Sequence, residues 1–272
     1  MTREDEGYLL DNRQAEAGAR FDALSTLFDP STFRHIEALG LQPGWRCWEA
    51  GAGGPGVANW LAQRVGSGGR VVATDIDISH LIGTEPLGYE VVRHDLGIEK
   101  ALPGRFDLVH ARLVLVHISR REEALAEMVG ALRPGGWLLV EEADPELQPL
   151  VCPDEDGPDQ QLANRLKGGF RALMAQRDAD LAYGRTLPRR LRDAGLLDVG
   201  ADAFFPMTGP VCTRLEQATV TQIRERLVAA GAATDDEIDR HLATVATGRL
   251  DLATSPMISA WGRRPPVATV SS

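Results

Sequence analysis

The sequence predicts a doubly wound α/β fold built on a mostly parallel seven-stranded sheet. Three observations lead there. From residue 46 to 142, short β-branched runs alternate with segments of helical spacing. The stretch "EAGAGGPG" (49–56) joins the first run to the first helical segment. An acid, Asp75, ends the second run, about 20 residues past the glycines as a ribose-binding carboxylate would. Strands alternating with helices imply a parallel sheet covered on both faces, and right-handed crossovers make it doubly wound.

Each element has its own signal. "RCWEA" (46–50) follows a "PGW" turn and predicts a buried strand. "VANWLAQRV" (57–65) carries apolar residues at 57, 60, 61 and 65, the spacing of a helix. "RVVATD" (70–75), "YEVVRHD" (89–95) and "FDLVHAR" (106–112) predict the next three strands. Ser119 and Glu122 form an S-x-x-E capping box that should open a helix running to about Leu132. "RPGG" should end that helix, and "WLLVEE" (137–142) predicts the fifth strand. After residue 142 the rhythm breaks. "ADPELQPLVCPDEDGPD" (143–159) reads as a loop, and "QQLANRLKGGFRALMAQR" (160–177) as a helix despite Gly168 and Gly169. A helix near 186–194 and a strand near 197–205 return to the sheet. Helices follow at 213–230 and 235–247, the second capped by Thr234 and Glu237, and "MISAWG" (257–262) predicts the last strand.

This order predicts an N-terminal helical cap at 1–40, a cofactor-binding core at 41–142, and the rest of the sheet at 143–262. Helical insertions at about 150–185 and 210–250 are expected to form a substrate lid. The tail "RRPPVATVSS" (263–272) is expected to be disordered. No internal repeat is visible.

Composition narrows the function classes. A net charge of -10, with only short scattered basic clusters, argues against a nucleic-acid substrate. No apolar run approaches the ~18 residues of a membrane span, and the polar, acidic N-terminus is unlike a secretory signal. Cys47, Cys152 and Cys212 form no C-x-x-C pair, so neither a zinc site nor a disulfide framework is expected. These features predict a cytoplasmic protein; monomer and homodimer are both open, and "PDEDGPD" reads as a solvated face, so no metal is expected.

In doubly wound sheets ligands lie beyond the carboxyl ends of the strands. The glycines at 51, 53 and 56 satisfy G-x-G-x-x-G, which alone fits an NAD-dependent oxidoreductase or a turn that binds nothing. Glu49 stands two residues ahead of the first glycine. A dinucleotide would bring two phosphates to this loop. Like charges at ~4 Å cost about 4 kcal/mol at an effective dielectric near 20. S-adenosylmethionine has no phosphate and carries an ammonium and a sulfonium, so a carboxylate suits it.

"WEAGAGGPG" resembles the first motif of class I S-adenosylmethionine-dependent methyltransferases, E/D-x-G-x-G-x-G, departing from it at Pro55. "VVATDID", "RHDL", "FDLVHARLVLVHI" and "LRPGGWLLVEE" resemble the four following motifs in order. The resemblance covers residues 40–142 and, more loosely, "LLDVGADAFF" and "ISAWGRR". It implies a Rossmann-like methyltransferase fold that binds S-adenosyl-L-methionine and releases S-adenosyl-L-homocysteine. Glu49, Gly51 and Gly53 would hold the methionine part, and Asp75, with Ile76 after it, the ribose. Asp95 and Leu96 would take the adenine, with Ala111 and Arg112 at the end of the fourth strand. "YLLDNRQAEAGARFDALSTLFDP" resembles the leader of actinobacterial natural-product methyltransferases, implying that Tyr8 covers the sulfonium and Arg20 pairs with the cofactor carboxylate.

The implied reaction is in-line displacement of the methyl group by an O, N or C nucleophile of a secondary metabolite. A general base would help a hydroxyl or enol nucleophile. His117, after the fourth strand, is the first candidate, with Glu142 and Asp144 also able to face the substrate. His110, inside the fourth strand, reads as a core histidine, His94 as an adenine-side residue, and His241 as a more remote candidate base. A non-catalytic cofactor-binding protein is the remaining alternative. No tetrapeptide resembling N/D-P-P-Y is present, which argues against chemistry on a flipped base.

Overall fold

A computed structural model describes residues 9–10, 15–82 and 88–266. In chain order the elements are α1 (Ala15–Ala38), β1 (Arg46–Ala50), α2 (Gly56–Val65), β2 (Arg70–Asp75), β3 (Glu90–Arg93) and β4 (Phe106–Arg112). A single 3-10 turn (Leu115–His117) precedes α3 (Arg121–Ala131), β5 (Leu132–Ala143), α4 (Pro158–Ala175), α5 (Tyr183–Asp193) and β6 (Leu197–Phe204). Then come α6 (Pro210–Ala229), α7 (Asp235–Ala246) and β7 (Met257–Arg263). The chain divides into two compact units. One comprises Met1–Pro30, Ala143–Ala182 and Phe204–Met257; the other comprises Ser31–Glu142, Tyr183–Ala203 and Ile258–Ser272.

The second of these units is built on the seven-stranded sheet, ordered β3-β2-β1-β4-β5-β7-β6. The pairs from β3 to β5 are parallel. Strand β7 runs against β5: Arg264 exchanges backbone bonds with Gly135 and Gly136 at one end, and Asp144 bonds Pro256 at the other. The order turns back at β1, whose neighbours are β2 and β4, and this places the switch point of the fold beside the glycine loop.

Side chains of successive strand residues point to opposite faces, so each strand feeds two cores. Trp48, Ala50, Val109, Leu138 and Val140 pack with α3 and α5 through Leu125, Met128, Tyr183 and Leu187. Cys47, Leu108 and Leu139 pack on the other face with Ile36 of α1 and Leu61 of α2. Glu49, His110, Glu141 and Ser259 alternate into this second face, where β1, β4 and β5 exchange apolar for polar side chains near their carboxyl ends and antiparallel β7 does so near its amino end.

The first unit has its own core. Leu162, Leu166 and Leu173 of α4 pack with Val220, Ile223 and Leu227 of α6 and with Ile238 of α7. Gly169 is needed for this contact, because a Cβ there would lie 2.7 Å from Ala232 Cβ and 2.9 Å from Leu227 Cδ2. Buried Asn164 anchors the preceding loop, its Oδ1 accepting from the N–H groups of Val151 (3.0 Å) and Cys152 (2.8 Å).

Three local expectations are corrected. The capping box of Ser119 and Glu122 is not formed: α3 starts at Arg121 with Arg120 as its cap. Glu122 instead pairs with Arg190 of α5, a cation that the local pattern cannot reveal. Strand β5 starts at Leu132, not 137, and bulges through "RPGG", where the register with β4 shifts between Phe106 and Leu108. The tail is ordered through its first residues, since Arg263 belongs to β7 and Arg264 Nη1 donates to Gly130 O (2.9 Å). The capping box of Thr234 and Glu237 on α7 is present.

Candidate functional site

Strand β1 delivers its carboxyl end into the glycine loop. Gly51 and Gly53 both take positive φ (67° and 61°), which favours glycine. At Gly51 a Cβ would also meet Val114 Cγ2 at 2.3 Å, so the turn after β4 lies directly against the loop. Pro55 occupies the N-cap position of α2 with φ -79°. Its ring pre-sets the helical entry, and its missing N–H costs nothing where amides have no intrahelical partner.

Asp75 ties the loop to β2. Its Oδ2 accepts from Gly53 N (2.9 Å) and its Oδ1 from Asp77 N (3.0 Å). The carboxylate is buried, and burial raises its affinity for a proton above the ordinary aspartate value. Each oxygen retains a lone pair. The end of β3 lies beside it: His94 N donates to Asp75 O (3.0 Å), and the His94 ring meets Trp48 edge-on at 5.7 Å. Asp95 is half-buried, its Oδ1 accepting from Gly97 N (2.9 Å), while Leu96 is buried in the α3-side core. Ile76 is 47% exposed at the end of β2.

A row of buried polar groups crosses the sheet behind the loop. Glu49 is 3% exposed, and its Oε2 lies 2.6 Å from His110 Nδ1. His110 is fully buried, with Nε2 3.2 Å from Glu141 Oε2. Glu141 also accepts from the hydroxyls of Ser259 (2.5 Å) and Thr32. Arg112, half-buried at the end of β4, donates to Thr32 Oγ1 (2.9 Å). His35 of α1 continues the row, with Nδ1 3.5 Å from Glu141 Oε1 and Nε2 2.9 Å from Asp202 Oδ1. Burial opposes charge on His110, yet the two flanking carboxylates outweigh it and raise its pKa to about 9. Burial likewise opposes ionisation of Glu141, but its hydrogen bonds hold the carboxyl well below the usual range.

Glu142 points to the opposite face and anchors the turn after β4. Its Oε1 accepts from Val114 N (3.0 Å) and Leu115 N (2.6 Å). Leu113, just ahead, is held at φ 58° and donates its N–H to Glu141 O (2.8 Å). Burial pushes the Glu142 carboxyl up to about 8.

Within this unit the structure brings together Glu49, Gly51, Gly53 and Asp75, with Asp95 at the next strand end. Ala111 is fully buried in β4, and His117 ends the 3-10 turn, half-buried. Arg20, Asp144 and His241 belong to the other unit. There Arg20 is buried with no hydrogen-bond partner for Nε among the described residues, Asp144 Oδ1 accepts from Leu147 N (3.0 Å), and His241 Nε2 meets Glu216 Oε1 at 2.9 Å. Tyr8 lies outside the described residues. Sequence reasoning missed the polar row. Its signal was an acid or histidine inside an apolar strand, present at Glu49, His110 and Glu141 alike.

The strand order and the glycine loop define a doubly wound, Rossmann-like α/β fold. Residues 48–140 match the family model described as a methyltransferase domain. The chain is 31% identical over 129 residues to the methyltransferase str3 of Strobilurus tenacellus, covering 43% of this chain and 44% of that protein. It is 34% identical over 128 residues to the ubiquinone/menaquinone biosynthesis C-methyltransferase UbiE of Hydrogenovibrio crunogenus, covering 44% and 50%. The chain thus spans about half the length of the curated relatives it matches. The fold is similar to that of phosphoethanolamine N-methyltransferase 2 of Haemonchus contortus, solved with S-adenosyl-L-methionine. That likeness has a TM-score of 0.57 at 14% identity and covers 95% of this chain and 60% of that one. The YcgJ protein of Bacillus subtilis is similar at a TM-score of 0.54 and 13% identity, covering 87% and 99%.

Proposed function

We propose that the protein transfers the methyl group of S-adenosyl-L-methionine to a small-molecule nucleophile, releasing S-adenosyl-L-homocysteine. The observation that carries this reading is Glu49. It is a buried carboxylate near the end of β1, two residues ahead of the first glycine of a loop whose G-x-G-x-x-G pattern would otherwise suit a pyrophosphate. Phosphates beside a buried carboxylate are disfavoured, whereas the cofactor's ammonium is attracted. The match of residues 48–140 to a methyltransferase domain supports the same reading.

In this reading Glu49 and the loop at Gly51 and Gly53 hold the methionine part of the cofactor. Asp75 and Ile76 take the ribose, and Asp95 and Leu96 the adenine. Ala111 and Arg112 line the far side. The bound cofactor supplies an electrophilic methyl group. The chain's contribution is to orient it and to exclude water. His117, half-buried on the turn after β4, is the proposed base for a hydroxyl or enol nucleophile. Arg20 and Tyr8 remain proposals from the leader resemblance, for the cofactor carboxylate and sulfonium. A secondary metabolite is the proposed substrate, on the resemblance of the N-terminal segment to natural-product methyltransferases and on the helical insertions at about 150–185 and 210–250. The proposed setting is cytoplasmic, as monomer or homodimer, with no nucleic-acid or membrane partner. Among the described residues no helix is long and apolar enough to cross a membrane.

The test is a binding titration followed by transfer. S-adenosylhomocysteine should bind and NADH should not. Glu49→Ala and Asp75→Ala should each weaken binding at least about tenfold, ~1.4 kcal/mol. Binding of NADH in place of S-adenosylhomocysteine would overturn the reading. Labelled methyl entering a metabolite extract separates an enzyme from a non-catalytic binder.

A further inference from the structure

We infer that His110 is an imidazolium that pairs with Glu49 and orients it, a positioning residue for the ammonium end of the methyl donor. The inference rests on the cofactor reading above and on geometry that reading does not use. Nδ1 of His110 faces Glu49 Oε2 at 2.6 Å, and Nε2 faces Glu141 Oε2 at 3.2 Å. A neutral imidazole has one N–H and one lone pair. Either tautomer would therefore turn a lone pair towards a carboxylate oxygen. Two N–H groups satisfy both contacts.

The rest of the row decides where the charge lies. Glu141 accepts from the hydroxyls of Thr32 and Ser259 as well as from His110, so it is the carboxylate with most donors. Arg112 of β4 faces this end through Thr32. His35 of α1 lies 3.5 Å from Glu141, and burial, which opposes its charge, is outweighed by Glu141 and Asp202 of β6. Arg34 in turn lies 3.4 Å from Asp202. Among the described residues Glu49 has no comparable set of donors: its carboxylate meets His110. Removing the His110 charge would leave two buried carboxylates without the cation that lies between them, a less favourable arrangement. Glu141 would keep its hydroxyl donors, whereas Glu49 would lose the cation that orients it towards the donor's ammonium. One imidazolium between two carboxylates leaves the triad of Glu49, His110 and Glu141 net negative.

The first measurement needs no variant and no ligand. In the full-length protein labelled with ¹⁵N-histidine, His110 should show both ring nitrogens protonated at about pH 7 and should titrate well above the ordinary histidine range. A neutral tautomer at that pH overturns the inference. The second measurement is the pH dependence of S-adenosylhomocysteine binding. Wild type should vary less than about twofold between about pH 5.5 and 7.5. His110→Gln should bind about tenfold more weakly at the lower pH than at the higher, because the cation facing the Glu49 carboxylate is gone. A His110→Gln profile parallel to wild type overturns the positioning role. If that variant does not fold, Glu141→Gln serves: the His110 titration should fall by at least about one pH unit as one of its two carboxylates is lost. An unmoved titration overturns the inference. The two readings fail differently. A wild type that binds no S-adenosylhomocysteine removes the cofactor reading and the positioning role with it. A neutral His110 with intact binding removes the positioning role alone.

Discussion

Glu142 shows how a single side chain can tie the site to pH. Its carboxyl is buried, and one oxygen anchors the amides of Val114 and Leu115. Burial raises it from an ordinary value of 4.5 to about 8. The folded protein therefore binds more protons than the unfolded chain between those values, and stability falls as pH rises through that window. His110, raised from 6.5 to about 9, adds stability that is complete below 6.5 and is lost as pH rises through about 9. Urea denaturation across pH should show a decline beginning near the lower carboxyl value and steepening above neutrality. Glu142→Gln keeps an oxygen for the two amides and should remove the earlier part of the decline, leaving the part due to His110 and His35. An unchanged slope in Glu142→Gln would show that the buried carboxyl does not titrate in this range. At this scale the sequence announced Glu49 and Asp75 but not their partners. His110 read as a core residue, which its burial matches, while its two contacts come from strands 61 and 31 positions away.

At the scale of elements, the glycine loop and the turn after β4 behave as one construction. Gly51→Ala would force a left-handed backbone on alanine and push its Cβ into Val114. A cost of about 1–3 kcal/mol is expected from strain and overpacking, read by thermal or urea unfolding. Cofactor binding should fall with it, because the loop must open at the point where it receives the ligand. On α7 the reciprocal bonds between Thr234 and Glu237 make a cap of ordinary strength. Thr234→Ala should cost ~1 kcal/mol with no effect on S-adenosylhomocysteine binding. Local patterning located these elements well where the signal was periodic or carried its own cap. It misplaced the start of α3 because Glu122 is drawn to Arg190 on α5 rather than to its own helix terminus. It shortened β5 because a Pro-Gly-Gly bulge inside a strand has the same composition as a loop.

The whole molecule consists of two units, each with its own apolar core. Ligand linkage provides a test confined to the sheet-bearing unit. At about 100 times its Kd, S-adenosylhomocysteine should add ~2.7 kcal/mol to that unit's stability. Hydrogen exchange should slow at the end of β1, the glycine loop and the start of α2. Protection that bypasses these amides would place the ligand elsewhere.

The sequence by itself determined the alternation of strands and helices, the position of the glycine loop, and the acids that end β1 and β2. These are set by spacing within a few residues: apolar periodicity, turn chemistry, and a carboxylate next to a glycine. Only the tertiary structure decided the electrostatic state of the site. Glu49, His110, Glu141, Thr32 and Ser259 become neighbours because β1, β4, β5, β7 and α1 meet on one face of the sheet. Charge is governed by distance in space and by exclusion of water, and neither can be read from order along the chain.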